Sequence, residues 1–195
     1  METILFDYLA KYITLTEEEK KILLDLDVFK QYKKGSILLR EGQVSDFGYF
    51  VIKGCIRSFT MVDGVEKTTA FYTEAESCEP LCKINKKPST SYVACVEDSI
   101  LVVANSAMEV EVFEKFPRFE TLCRLLSEEL LANKKAEFDE FRTSSPEQRY
   151  LNLLNTRPDL FQRVPQYQIA SFLGITPQSL SRMRNRLVDN PSQNS

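Results

Sequence analysis

The stretch from Gln166 to Asn185 constrains the fold more tightly than any other part of the chain. Ile169 and Leu173 are four residues apart and give a first helix one buried side. Ala170 is small at the place where two helices must cross closely. Gly174 stands where the chain has to turn through a left-handed backbone, which only glycine adopts cheaply. Ile175 is expected to plug the turn from inside. Thr176 can cap a second helix, and Pro177 fits its first position, where no helical N–H bond is lost. Leu180, Met183 and Leu187 then recur at spacings of three and four as a buried face. The pattern predicts a helix-turn-helix.

Projecting the second helix at about 100° per residue puts Gln178, Arg182 and Asn185 opposite that buried face. Ser179, Ser181 and Arg186 flank them, and Thr176 stands at the leading end. These are side chains that read base edges: Gln and Asn can pair with adenine, and Arg with guanine. The leading end of such a helix enters the major groove most deeply. Thr176, Gln178, Ser179, Ser181, Arg182, Asn185 and Arg186 are therefore the expected DNA-binding residues. An ordinary αα-hairpin would also have a polar outer face. The small Ala, the turn Gly, the Thr-Pro cap and an Arg-rich, acid-poor face together favour DNA.

Charge is distributed in the same sense. Residues 143–195 hold six arginines, no lysine and three acids, a net of +3, while the rest of the chain carries −6. A basic end on an acidic body suits phosphate contact by one module only. The chain of 195 residues is 43% hydrophobic and 27% charged, ordinary values for a globular protein. It has no histidine, no phosphate-cradling glycine loop and no carboxylate pair in a catalytic motif, so an enzyme is not expected. The five cysteines, Cys55, Cys78, Cys82, Cys95 and Cys123, form no CxxC pair. We expect buried reduced thiols, with neither a metal site nor a cofactor. No apolar run spans a bilayer, and the first residues lack a basic export-signal region. The expectation is a cytoplasmic protein with no membrane partner.

Upstream, Thr16 and Glu19 have capping-box spacing ahead of a helix over residues 16–26, with Ile22, Leu23 and Leu26 as its buried stripe. From Tyr32 to Ala104 the chain reads as short strands: Ile37–Leu39, Tyr49–Ile52, Ile56–Phe59, Val93–Val96 and Ser99–Val103. Asp63-Gly64 is a hairpin signal, and Glu97-Asp98 is a second turn. Ser106 and Glu109 predict a cap for a short helix running to about Phe116. Residues 118–142 contain neither Gly nor Pro and predict one long helix. One stripe on it runs through Phe119, Leu122, Leu126, Leu130 and Asn133, and another through Cys123, Leu131, Phe138 and Phe141. Two apolar faces need two partners. The barrel and the same helix of a second subunit are expected, with packing inside one chain as the alternative. Phe119, Leu122, Leu126, Leu130 and Asn133 are the expected dimer interface. Ser145 and Pro146 open a further helix with Tyr150, Leu151 and Leu154 on its apolar side.

Lys34-Gly35-Ser36-Ile37-Leu38-Leu39-Arg40-Glu41-Gly42, Tyr49-Phe50-Val51-Ile52-Lys53-Gly54 and Ile169-Ala170-Ser171-Phe172-Leu173-Gly174-Ile175-Thr176, with Ser179-Leu180-Ser181-Arg182 following, resemble the Crp/Fnr superfamily of bacterial regulators. The resemblance implies an α+β chain. A cyclic-nucleotide-binding-like jelly-roll sensor, a double-stranded β-helix, would occupy residues 1–116. A dimerisation helix would follow at 117–142 and a DNA-binding domain at 143–195. It implies a homodimeric transcription regulator that binds double-stranded DNA, with RNA polymerase as a further partner. It also places the ligand pocket at Glu79, Leu81, Thr90 and Ser91. Thr90 stands where cyclic-nucleotide binders carry an arginine, and a hydroxyl cannot replace a bidentate guanidinium on a phosphate. Cyclic AMP is therefore not expected as a tight ligand, leaving an unidentified small-molecule effector or control by protein abundance. Lys83, Lys86 and Lys87 could compensate for the missing arginine, but the reading preferred is a solvated loop. The chain ends soon after the second helix, without the β-wing of many members. The competing reading is a ligand-binding module whose helical C-terminus docks on protein.

Overall fold

The computed structural model describes residues 2–189, with side chains up to residue 186. Helix α1 (Glu2–Ala10) was not foreseen from the sequence. Helix α2 (Glu17–Asp25) follows, capped reciprocally by Thr16 and Glu19. Glu19 is the buried residue of α2, and Ile22, Leu23 and Leu26 are only half-buried. The Arg118 guanidinium pairs with the Glu19 carboxyl and holds it below the ordinary carboxylate range.

Eight antiparallel strands form two facing four-stranded sheets. They are β1 (Phe29–Tyr32), β2 (Ile37–Leu39), β3 (Phe47–Lys53), β4 (Ile56–Val62), β5 (Val65–Tyr72), β6 (Ser77–Cys78), β7 (Tyr92–Cys95) and β8 (Ser99–Asn105). One sheet has the order β1-β8-β3-β6 and the other β2-β7-β4-β5. This is the jelly-roll expected. Asp63 and Gly64 both take positive φ at the β4–β5 hairpin, as a primed turn requires. The Glu97-Asp98 turn carries the chain from one sheet to the other. Along β3, Tyr49 and Val51 enter the barrel core with Leu39, Ile56, Val93 and Leu101. Phe50 and Ile52 face outward and are covered by α1 and the helices after the barrel. Burial on both faces explains the unbroken apolar run of this strand.

Helix α3 (Leu81–Asn85) interrupts the barrel. Helix α4 (Ser106–Lys115) is capped by Asn105, one residue before the expected Ser106, because Asn105 Oδ1 accepts from the Met108 amide at 2.9 Å. Ser106 instead donates to Asp46. Helix α5 (Arg118–Thr143) is the long helix foreseen. Helix α6 (Pro146–Thr156) has its Ser145–Gln148 capping box and buries Tyr150 and Leu153, while Leu154 is exposed. The connection to the next helices holds a short helix α7 (Leu160–Arg163), whose Leu160 is fully buried. Helices α8 (Gln166–Phe172) and α9 (Pro177–Asp189) complete the chain. Among the described residues, no helix is long and apolar enough to cross a membrane.

Candidate nucleic-acid interface and sensor cavity

The α8–α9 geometry follows the local chemistry of the sequence. Ile169, Ala170, Leu173, Leu180 and Met183 are all buried in one core. The side chain of Leu187 lies outside the described residues. Gly174 has φ +72°, and the Ile175 amide donates back to the Ala170 carbonyl at 3.0 Å, closing the turn. Thr176 Oγ1 accepts from the Ser179 amide at 3.1 Å, so the cap is formed.

Thr176, Gln178, Ser179, Ser181, Arg182, Asn185 and Arg186 are all exposed, on the side of α9 away from Leu180 and Met183. The sequence has no acid between Pro177 and Val188. The other arginines of this half are engaged elsewhere. Arg157 donates to the Phe71 carbonyl, Thr73 and Glu76. Arg163 binds Glu74, Glu97 and Asp159. Arg149 lies 4.2 Å from the Phe141 ring centroid. The positive charge counted along the C-terminal sequence is thus divided. Arg182, Arg184 and Arg186 stay on α9, while Arg157 and Arg163 hold the helical domain to the barrel.

Apolar packing and backbone pairing add to that junction. Cys55, Phe71 and Val96 of the barrel share a core with Leu160, Ile169 and Leu180. β5 is a sheet edge, and Ser171 of α8 caps it. Its Oγ accepts from the Thr68 amide at 2.9 Å and donates to the Glu66 carbonyl at 3.1 Å. One serine thereby satisfies two groups that a neighbouring strand would otherwise take.

The candidate sensor cavity is large, about 760 Å³, and lies between the barrel, α1, α4 and α5. Of the four expected pocket residues, only Glu79 lines it. Leu81 is 67% exposed and Thr90 is also exposed. Ser91 is half-buried and bonded to Ser89. The expected pocket is therefore not assembled from these four. Lys83, read from the sequence as a solvated lysine, is only 8% exposed. Its ammonium is held between Glu79 at 2.9 Å and Glu109 at 2.5 Å. The Glu79 carboxyl rests against Gly48, where any Cβ would collide with it. Burial pushes the Glu79 pKa up, against the pull of Lys83. Lys86 pairs with Asp46. Glu79 and Lys83 are four residues apart, but sequence spacing gave no hint of Glu109, which comes from α4.

The long helix also reverses an expectation. Phe119 and Leu122 are 4% and 3% exposed and pack inside their own chain. A second subunit cannot reach them without unpacking α1 and α4. Leu126 and Leu130 are half-buried beside the sensor cavity, which Asn133 also lines. The stripe left open is the other one: Leu131 is 72% exposed, Phe138 58% and Phe141 42%. Four cysteines are buried and Cys123 is exposed. Burial raises the thiol of Cys78 to about 12 and that of Cys95 to about 11. No group of metal-ligating residues gathers among the described residues.

Residues 29–123 match the cyclic nucleotide-binding domain family. A search of curated protein sequences finds no match. Solved structures share the architecture across most of the chain. FixK2 from Bradyrhizobium japonicum is 15% identical, with a TM-score of 0.67 over 84% of this chain and 85% of that one. The c-di-GMP-responsive global regulator CLP from Xanthomonas campestris is 14% identical, with a TM-score of 0.68 over 90% and 93%. A CooA variant from Carboxydothermus hydrogenoformans is 17% identical, with a TM-score of 0.62 over 83% and 76%. The chain has the fold of these proteins, with a cyclic nucleotide-binding domain match inside it. The large cavity lined by Glu79 has its buried cation, Lys83, already matched by two acids.

Proposed function

We propose that this chain is a homodimeric, sequence-specific DNA-binding transcription regulator that does not respond to cyclic AMP. The observation that carries the reading is the free face of α9: Gln178, Arg182, Asn185 and Arg186 are exposed together on a capped helix whose opposite side is anchored in a core. The likeness of most of the chain to regulators of the Crp/Fnr fold supports it. In this reading residues 1–116 form the sensor, 117–142 the dimer helix and 143–195 the DNA-binding domain. The protein acts in the cytoplasm, with RNA polymerase as its further partner. The second subunit docks on the open stripe through Leu131, Phe138 and Phe141, not on Phe119 and Leu122. A dimer places two α9 helices on half-sites about 34–36 Å apart, so the site is near-palindromic.

Charge argues against cyclic AMP. Its phosphate needs a counter-charge once desolvated. Lys83 is committed to Glu79 and Glu109, and Thr90 is exposed away from the cavity lining. The test is selection of bound sequences from random DNA, followed by titration of Arg182→Ala on the selected site and on random DNA. Loss of a bidentate base contact costs about 1–3 kcal/mol on the selected site and much less on random DNA. No enriched sequence would refute the reading. Calorimetry with cyclic AMP should show no binding, and a micromolar dissociation constant would overturn that part.

A further inference from the structure

A second, smaller cavity of about 160 Å³ opens where the barrel, α5 and the helical domain meet. Its apolar wall is drawn from Ala70 and Phe71 of β5, Phe141 of α5, Leu153 of α6, and Phe172 and Leu173 of α8. It adjoins the sensor cavity along Lys134 and Glu137, which line both. Helix α6 turns one face to it, with Arg149, Asn152, Leu153 and Thr156 at spacings of three and four.

Most charged groups of the wall already have partners. Lys134 pairs with Glu137, Arg157 pairs with Glu76, and Glu140 accepts from Asn152. Arg149 differs. Its guanidinium stacks 4.2 Å from the Phe141 ring centroid, and a Cβ on Gly174 would lie 3.8 Å from its Nη1. Its Nε is buried without a hydrogen-bond partner, and it makes no salt bridge among the described residues. Nε lies out of reach of the cavity, so the unpaired Nη groups are the part of Arg149 left to meet an anion there. A guanidinium held on an aromatic face beside an apolar recess suits a ligand with a planar anion at one end and a hydrocarbon body at the other.

We propose that this cavity binds a small organic carboxylate. Its carboxylate sits on Arg149, and its body lies against Phe71, Phe172 and Leu173. The volume sets the size. An engineered cavity of about 150 Å³ takes one benzene ring, so the body is one ring or a chain of comparable bulk, far smaller than a nucleotide. Because the walls come from β5, α5, α6 and α8, an occupant ties the helix-turn-helix to the sensor edge and stabilises their docked arrangement.

The test uses the full chain without DNA, so its outcome is independent of the DNA-binding reading. Benzoate is titrated by calorimetry. Benzamide serves as the uncharged molecule of the same shape, and inorganic phosphate as an anion without an apolar body. Benzoate is expected to saturate one site with a millimolar or tighter dissociation constant and to raise the thermal midpoint. Benzamide and phosphate are expected to bind at least about tenfold more weakly. Arg149→Met keeps the contact with Phe141 but removes the donors, and Ala70→Ile fills the recess without touching charge. Each should weaken benzoate at least about tenfold, with the circular dichroism unchanged. If Arg149→Met does not fold, Arg149→Lys, which keeps the charge but not the fork, takes its place beside Ala70→Ile. No saturation by benzoate, equal binding of benzamide, or undiminished binding in the folded Arg149 variant or in Ala70→Ile overturns the proposal.

Discussion

Replacing Arg163 with methionine should loosen the C-terminal helices from the barrel at a cost that the geometry bounds. The guanidinium serves three carboxylates. Nε and Nη2 donate to Glu97 at 2.9 and 2.5 Å, Nη1 and Nη2 to Glu74 at 2.8 and 2.9 Å, and Nη1 to Asp159 at 3.2 Å. The Arg163 side chain is 22% exposed and Glu97 32%, so this pair is partly desolvated and is worth about 1.5–3 kcal/mol as charge-assisted hydrogen bonding. Glu74 is 37% exposed, and its fork is discounted to about 1 kcal/mol for solvent screening. Asp159 is 46% exposed, and this pair at i,i+4 contributes about 0.3–0.5 kcal/mol. One guanidinium cannot deliver all three in full, so the expected loss is about 2–4 kcal/mol. Methionine keeps most of the packing of the stem, which isolates the charge. Urea unfolding of the wild type and of Arg163→Met measures the loss. A double-mutant cycle with Glu97→Gln should show a coupling of about 1–2 kcal/mol. Hydrogen exchange gives the spatial signature: the Thr68 amide, which is bonded to Ser171 across the same junction, should exchange faster in the variant. A loss below about 0.5 kcal/mol would place Arg163 with ordinary surface residues. Additivity in the cycle within about 0.3 kcal/mol would likewise refute the reasoning.

Three further outcomes are expected. Glu74 sits below the ordinary carboxylate value although burial alone would raise it, because Arg163 and the Gly54 amide outweigh burial. Its contribution is therefore complete above pH of about 4.5 and fades as pH falls through the lowered value. Arg163→Met should flatten the stability-versus-pH curve below that point, and an unchanged slope would contradict the assignment. Gly174→Ala should cost about 1–2 kcal/mol for its left-handed backbone, with no clash, because the nearest atom to the new Cβ is Phe141 Cζ at 3.5 Å. Urea midpoints check this, and a neutral substitution would refute it. If the unmodified chain sediments as the proposed dimer, Phe138→Glu, at a position 58% exposed, should yield a folded monomer. A variant that remains dimeric would move the interface off this stripe.

The features legible in the sequence share one physical property: they are satisfied within a few residues of themselves. Thr16, Ser145 and Thr176 cap helices by bonding to amides three positions on. Gly174 and the Asp63-Gly64 turn are local backbone requirements, and all were found where the pattern put them. The same locality explains a small error. Both Asn105 and Ser106 can cap a helix, and only the contact of Ser106 with Asp46, sixty residues away, leaves the cap to Asn105. Periodicity found both stripes of α5 but could not rank them. A stripe is buried by whatever element arrives over it, and α1, which covers Phe119 and Leu122 together with α4, had no clear signature of its own.

By itself, then, the sequence determined the caps at Thr16, Ser145 and Thr176, the turns, the helix-turn-helix and the polar face of α9, since each depends on bonds or φ angles among near neighbours. Tertiary structure alone decided where the charges went. Arg157 and Arg163 meet acids more than sixty residues away, and Lys83 meets Glu109 at 2.5 Å across 26 residues. A charge count along the chain assigns all six C-terminal arginines to one basic end. An ion pair forms wherever folding removes water from two opposite charges, and that depends on the path of the backbone between them, which no local pattern records.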